Sequence, residues 1–152
     1  MTIGKIFFSL LLIVPTSKFN AQTNSYKFYK AKKETDKHSW ILLLPGSSGL
    51  TIFDDSTFYD RKAEYLTSLG YDILLFDYKS FYKTSTAPDK PKGTTGEKIS
   101  WVVKQVIQFA TAKQQIDTSN NGHIIGWSLS GEGVFRLLKD TGFIAKNKIS
   151  SV

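Results

Sequence analysis

Cysteine is absent from this 152-residue chain. Its absence excludes a disulfide framework, a lipid-modified cysteine, and cysteine as a nucleophile or metal ligand. Arginine is scarce, because Arg61 and Arg136 are the only arginines among 20 basic residues, and the net charge of +7 is spread along the chain. Nucleic-acid modules usually rely on clustered arginine, so we interpret the lysines as a solvated surface and expect no nucleic-acid partner.

The N-terminus "MTIGKIFFSLLLIVPTSKFNAQT" places Lys5 before a largely apolar run from Ile6 to Val14, and the small residue Ala21 follows a proline. This order predicts a signal peptide over residues 1–21, cleaved after Ala21. The run is about half the roughly 20 residues that a membrane-spanning helix needs, so we expect no membrane span after cleavage. The mature protein, residues 22–152, is expected to be one domain that is secreted or periplasmic.

Apolar segments that resemble buried strands alternate with helical patterns along the rest of the chain. An α/β fold with a parallel sheet and flanking helices is therefore expected. The predicted strands are "SYKFYKAKK" (Ser25–Lys33), "SWILLLP" with its apolar run at Ile41–Leu44, "YDILLFD" (Tyr71–Asp77) and "GHIIGW" (residues 122–127). The predicted helices are Ser56–Leu69, a helix opened by a Thr94/Glu97 capping box, and Leu129–Lys139 with Gly142 as its cap, while Tyr78–Gly96 is predicted to be a long loop.

Function in such sheets gathers at the carboxyl ends of the strands, and "GWSLSG" lies at one of them. There Ser128 stands between a buried strand and a helix start, the setting that a nucleophilic serine requires. The residues two before and two after it, Gly126 and Ser130, are small, as a tight turn demands. We therefore predict that Ser128 is a nucleophile.

A second segment, "PGSSG", follows an earlier strand and should lie at the same edge. An acyl-transfer site needs two backbone N–H donors for the developing oxyanion. Leu129, just after the predicted nucleophile, is expected to provide one. Ser47 is expected to provide the other, with Ser48 as the alternative.

Three segments, "WILLLPGSSGL", "YDILLFDY" and "HIIGWSLSGEGVFRLL", resemble the first half of an α/β-hydrolase, most closely the dienelactone hydrolase family. The resemblance covers roughly Ser25–Val152, and "GWSLSGEG" is its most specific motif. It implies a truncated α/β-hydrolase fold, Ser128 as nucleophile, an oxyanion hole at Leu129 and Ser47, and hydrolysis of an ester or lactone bond in a small molecule. Many members of that family use cysteine, so serine here favours a general esterase or a peptidase-like relative over a dienelactone hydrolase proper. No cofactor or metal is expected.

The triad partners of Ser128 are missing from the sequence. In this fold an acid and then a histidine follow the serine, but only Glu132 and Asp140 follow it, and His38 and His123 both precede it. Without a base a serine hydroxyl is a poor nucleophile. The sequence is therefore interpreted as the N-terminal part of a longer hydrolase or as a prematurely terminated product, inactive by itself.

Other interpretations stay open beside this one. A non-catalytic binding or interaction protein on the same scaffold is the alternative, because a fold does not fix a function. A nucleotide-binding module is excluded because "GTTGEK" lacks phosphate-loop spacing. Asp77 is interpreted as a structural cap rather than a functional carboxylate, and Trp127 as a packing residue.

Overall fold

The computed structural model describes residues 26–50 and 55–152. The predicted signal peptide and its cleavage site lie outside these residues. None of the described helices is both long and apolar enough to cross a membrane.

The described residues build one five-stranded sheet in the order β1-β3-β2-β4-β5. Its strands are β1 (Tyr26–Tyr29), β2 (Ser39–Leu44), β3 (Tyr71–Phe76), β4 (Asn121–Gly126) and β5 (Ile149–Ser151).

The prediction of a wholly parallel sheet is wrong at one edge. The strands β2 to β5 are parallel to their neighbours, but β1 pairs antiparallel with β3, with Tyr26 opposite Phe76. Residues 30–38 connect β1 to β2 without a helix. A parallel arrangement would need a crossover of a dozen or more residues, so the chain returns in the opposite direction. The fold is therefore a mixed α/β sheet with flanking helices.

Five helices flank the sheet among the described residues, and two of them differ from the sequence prediction. The helices are α1 (Phe58–Ser68), α2 (Tyr78–Thr84), α3 (Thr95–Ala112), α4 (Leu129–Leu137) and α5 (Thr141–Lys146). The segment Tyr78–Gly96, which the sequence predicts to be a long loop, begins with the helix α2. The Asp77 side chain caps the N-terminus of this helix. Gly142 lies inside α5 and does not cap α4, whose last residue is Leu137 and whose C-cap is Leu138.

The capping box predicted for α3 is present. The Thr94 side chain accepts from the Glu97 backbone N–H at 3.3 Å, and the Glu97 carboxylate accepts from the Thr94 N–H at 2.8 Å. The helix buries an apolar side that includes Ile99, Val102 and Val106 against the sheet. Gly133 lets α4 approach α3 closely, because a Cβ there would lie 2.3 Å from Ile99.

The two faces of the sheet are covered unequally. One face packs against α3 and α4 around Leu42, Leu74 and Ile124. The other carries α1 over β2 and β3, where Ala63 meets the core, but Ile125 of β4 remains 39% exposed. The carboxyl end of β4 therefore lies open on the α1 side.

Candidate active site

The turn from β4 to α4 holds Ser128 in an unusual backbone conformation. Its φ is 54° and its ψ is −120°, a region that residues with a Cβ rarely occupy and that costs about 1–3 kcal/mol. The residue is exposed, and its side chain caps no backbone N–H of α4. The contacts around the turn, and not a cap formed by its own side chain, therefore keep Ser128 in this conformation at the carboxyl edge of the sheet.

Close packing explains why this turn needs a glycine at position 126. A Cβ on Gly126 would lie 2.9 Å from Val134 Cγ2 and 3.0 Å from the Gly131 backbone nitrogen. Such contacts lie below or at the edge of the distances that side chains tolerate, so the chain could not fold back as tightly with a larger residue.

The other small residue of the turn, Ser130, has a role that sequence reasoning missed. It is fully buried, and its hydroxyl donates to the carbonyl oxygens of Leu44 at 3.1 Å and Trp127 at 3.0 Å. The hydroxyl thus links the end of β2 to the residue before Ser128. The sequence offered one signal, a serine where the resemblance leads one to expect glycine.

The loop after β2 lies directly against Ser128, as the sequence predicted for two neighbouring strand ends. Leu44 is in register with Gly126, and the Trp127 N–H donates to the Leu44 oxygen at 3.1 Å. A Cβ built on Gly46 would lie 3.3 Å from the Ser128 Cβ. The two loops therefore form one continuous surface at this edge.

Both predicted oxyanion donors belong to this surface. The backbone N–H groups of Leu129 and Ser47 have no hydrogen-bond acceptor within residues 26–50 and 55–152. The N–H of Gly46, in contrast, donates to the Tyr59 hydroxyl at 3.0 Å. The N-terminus of α4 adds positive potential at the serine. The two N–H groups are therefore open to an acceptor from outside the described residues.

Charged groups hold the loop after β2 from its outer side. The Lys79 ammonium donates to the carbonyl oxygen of Ser47. Asp77 accepts from the Lys79 N–H at 3.1 Å and the Ser80 hydroxyl at 2.7 Å, so it caps α2 as interpreted from the sequence. Burial raises the pKa of Tyr59, which keeps its phenol neutral beside Gly46 at ordinary pH.

Aromatic side chains border the serine on the α1 side of the sheet. Trp127 is 51% exposed, and its ring lies 6.0 Å from that of Phe58, centroid to centroid. Trp127 therefore packs against α1, in line with its interpretation as a packing residue, while half of its surface stays open beside Ser128.

No general base lies next to Ser128 among the described residues. His38 is exposed before β2, 3.5 Å from Asp36. His123 lies three positions before Gly126 in β4, about 10 Å away along the strand, and its Nδ1 is 2.8 Å from the Ser151 hydroxyl. Both histidines therefore sit toward the amino end of the sheet.

The two acids that follow Ser128 in the sequence are also engaged elsewhere. The Glu132 carboxylate lies against Gly96 of α3. Asp140 pairs with Lys104 at 2.5 Å and caps α5. Neither carboxylate is positioned to orient a histidine at the serine.

A cavity of about 350 Å³ opens at the opposite end of the sheet. Trp40 and Gln115 line it, and their Nε1 and Oε1 atoms have no hydrogen-bond partner in the described part of the chain. Both atoms are closed to solvent, so neither reaches a molecule in the cavity in this conformation. The cavity also lies far from Ser128, at the edge where such folds do not place their chemistry.

Within residues 26–50 and 55–152, no three histidine, cysteine, aspartate or glutamate side chains lie close enough together to bind a metal ion. The candidate functional features of the described residues are the strained serine and the two loops around it.

Comparison with known protein families, with curated proteins and with solved structures finds no match to this chain.

Proposed function

We propose that this chain is the nucleophile-bearing, N-terminal part of a secreted or periplasmic serine hydrolase of the α/β-hydrolase type, similar to dienelactone hydrolases, acting on ester or lactone bonds. The observation that supports the proposal is the strained backbone conformation of Ser128, which has φ 54° and ψ −120° in the turn between β4 and α4. Strain of this kind persists where surrounding structure imposes it, and it gathers at active sites. Here Gly126, Ser130 and the loop after β2 impose it.

The site supports acyl transfer in two steps. The Ser128 oxygen attacks the carbonyl carbon of the ester while a base takes the hydroxyl proton. The carbonyl oxygen becomes an oxyanion, which accepts hydrogen bonds from the N–H groups of Leu129 and Ser47. The alcohol leaves with a proton, and water then attacks the acyl-serine, releasing the acid and restoring the hydroxyl.

The base is proposed to come from residues that the gene encodes after Val152. The support for this is that His38 and His123 are engaged away from Ser128. Triad groups act as a unit, so the nucleophile alone retains little of the rate. The term extended protein is used below for this chain joined to any residues encoded after Val152.

Hydrolysis of p-nitrophenyl acetate tests the proposal. The extended protein should turn over the ester, and Ser128→Ala should remove at least about 99% of that turnover, because loss of the nucleophile costs nearly the whole contribution of the triad. The chain ending at Val152 should show no turnover above background. Turnover by the extended protein that survives Ser128→Ala would contradict the proposal.

A non-catalytic binding protein on the same scaffold is the alternative, favoured by the lack of a base near Ser128 among the described residues. It predicts a soluble extended protein in which no ester is hydrolysed. An acid followed by a histidine in the reading frame after Val152 would count against it.

A further inference from the structure

We propose that Tyr59 is a positioning residue. Its hydroxyl accepts a hydrogen bond from the Gly46 N–H and thereby fixes the loop after β2, which carries the proposed oxyanion donor Ser47. This inference rests on the proposed function. It assigns a role to a side chain that neither touches a substrate nor belongs to the resemblance that led to Ser128.

The first support is the hydrogen bond itself. Tyr59 lies on α1 and is 2% exposed, and its hydroxyl accepts from the Gly46 N–H at 3.0 Å. Gly46 is buried as well. In a buried site a backbone N–H without a partner is unfavourable, so this bond selects one orientation of the Pro45–Gly46 peptide.

The second support is the position of Gly46 relative to the nucleophile. A Cβ on Gly46 would lie 3.3 Å from the Ser128 Cβ and 3.2 Å from Trp127 Cδ1. The glycine backbone is thus in contact with the turn that carries the serine. A shift of the Gly46 peptide would move the loop against Ser128 directly.

The third support is which donors stay open. The Tyr59 hydroxyl occupies the Gly46 N–H, whereas the N–H of Ser47, the next along the chain, has no acceptor among the described residues. The φ and ψ angles of Gly46 still join this peptide to the next, so Tyr59 acts by occupying the Gly46 N–H and by fixing where the loop begins. It therefore leaves the N–H of Ser47, and not that of Gly46, open to an oxyanion.

Tyr59→Phe tests this in the extended protein, with Tyr65→Phe as the matched control. Tyr65 lies on the same helix but is 62% exposed. Turnover of p-nitrophenyl acetate is expressed per serine titrated with a fluorophosphonate, so unfolded protein does not count. We expect kcat per titrated site to fall about tenfold in Tyr59→Phe, with KM within about twofold, because a displaced donor weakens the transition state more than the ground state. Tyr65→Phe should match the wild type.

Hydrogen exchange of the Gly46 amide, followed by NMR, gives a readout that does not depend on turnover. Exchange should be at least tenfold faster in Tyr59→Phe and unchanged in Tyr65→Phe. Equal kcat per titrated site in the two variants would overturn the positioning role, and so would unchanged Gly46 exchange. Absence of Ser128-dependent turnover in the wild type would instead contradict the proposed function, leaving the exchange data to show whether Tyr59 holds the loop.

Discussion

At the scale of single residues, the site depends on side chains that are small or missing. Gly126 allows the chain to fold back on α4, and Gly46 allows the loop after β2 to touch Ser128. The buried Ser130 hydroxyl then fastens this turn to Leu44 of β2. The strained serine is held by these contacts, since its own side chain makes no capping bond to α4.

Gly126→Ala should lower the free energy of unfolding by about 1–3 kcal/mol, because the new methyl group would press on Val134 and on backbone atoms. Gly131→Ala is the matched control. A Cβ there meets only the Gly126 oxygen at 3.8 Å, so the helix propensity of alanine should leave stability equal or raise it by up to about 1 kcal/mol. Urea unfolding of both variants in the extended protein measures this, and equal effects would contradict the packing argument.

At the scale of elements, the sequence predicted most of the structure that carries the site. The apolar runs of β2 and β3 are buried on both faces, which makes them readable from the sequence pattern, whereas β4 buries Ile124 on one face and leaves Ile125 39% exposed on the other. The Thr94 and Glu97 pair marked the start of α3. The juxtaposition of "PGSSG" and "GWSLSG" followed from parallel strands ending at one edge.

The elements that were missed depend on contacts between distant residues. The antiparallel direction of β1 follows from its pairing with β3, which a weak local pattern does not encode. The short helix α2 is stabilised by the Asp77 cap and by burial of Phe81, and α5 has no buried residue that would give a helical pattern. The hydroxyl of Tyr59 reaches Gly46 only because α1 packs over β2.

The ion pair between Lys104 of α3 and Asp140 at the start of α5 makes stability depend on pH. The hydrogen bond from Lys104, followed by that from the Phe143 N–H, lowers the pKa of Asp140 below its ordinary value of 3.8. A lowered folded-state pKa stabilises the fold above the unfolded-state pKa, and this contribution is lost as the pH falls through the folded-state value.

Asp140→Asn should therefore destabilise the extended protein slightly at pH 7, because solvent screens so exposed an ion pair. The difference from the wild type should shrink as the pH falls below 3.8 and on through the lower folded-state pKa. Asparagine still caps a helix well, so the loss reports the charge rather than the cap. Urea unfolding at pH 7 and at pH 3 measures the two differences, and a difference that persists undiminished at pH 3 would show that the charge is not its cause.

At the scale of the whole molecule, the sheet is unevenly covered. On the α1 side Ile125 and Trp127 are 39% and 51% exposed, and Val152 is 48% exposed. β5 pairs with β4 only through Ile149 and Ser151, opposite Gly122 and His123. The backbone beyond His123 is thus left at an apolar edge, which is a template for pairing between chains.

Residues 22–152 expressed alone should therefore associate or lack a cooperative melt, whereas the extended protein should be a soluble monomer. Size-exclusion chromatography and a thermal melt compare the two. A monodisperse monomer of residues 22–152 with a cooperative transition would mean that these residues form a complete domain.

Covalent labelling tests whether Ser128 is the nucleophile. The extended protein is treated with a fluorophosphonate and digested with trypsin, which releases residues 114–136 as one peptide containing Ser128, Ser119 and Ser130. We expect a single phosphonyl group on the Ser128 oxygen, absent from Ser128→Ala and from heat-unfolded protein. Labelling of another serine, or no labelling of a folded and soluble extended protein, would contradict it.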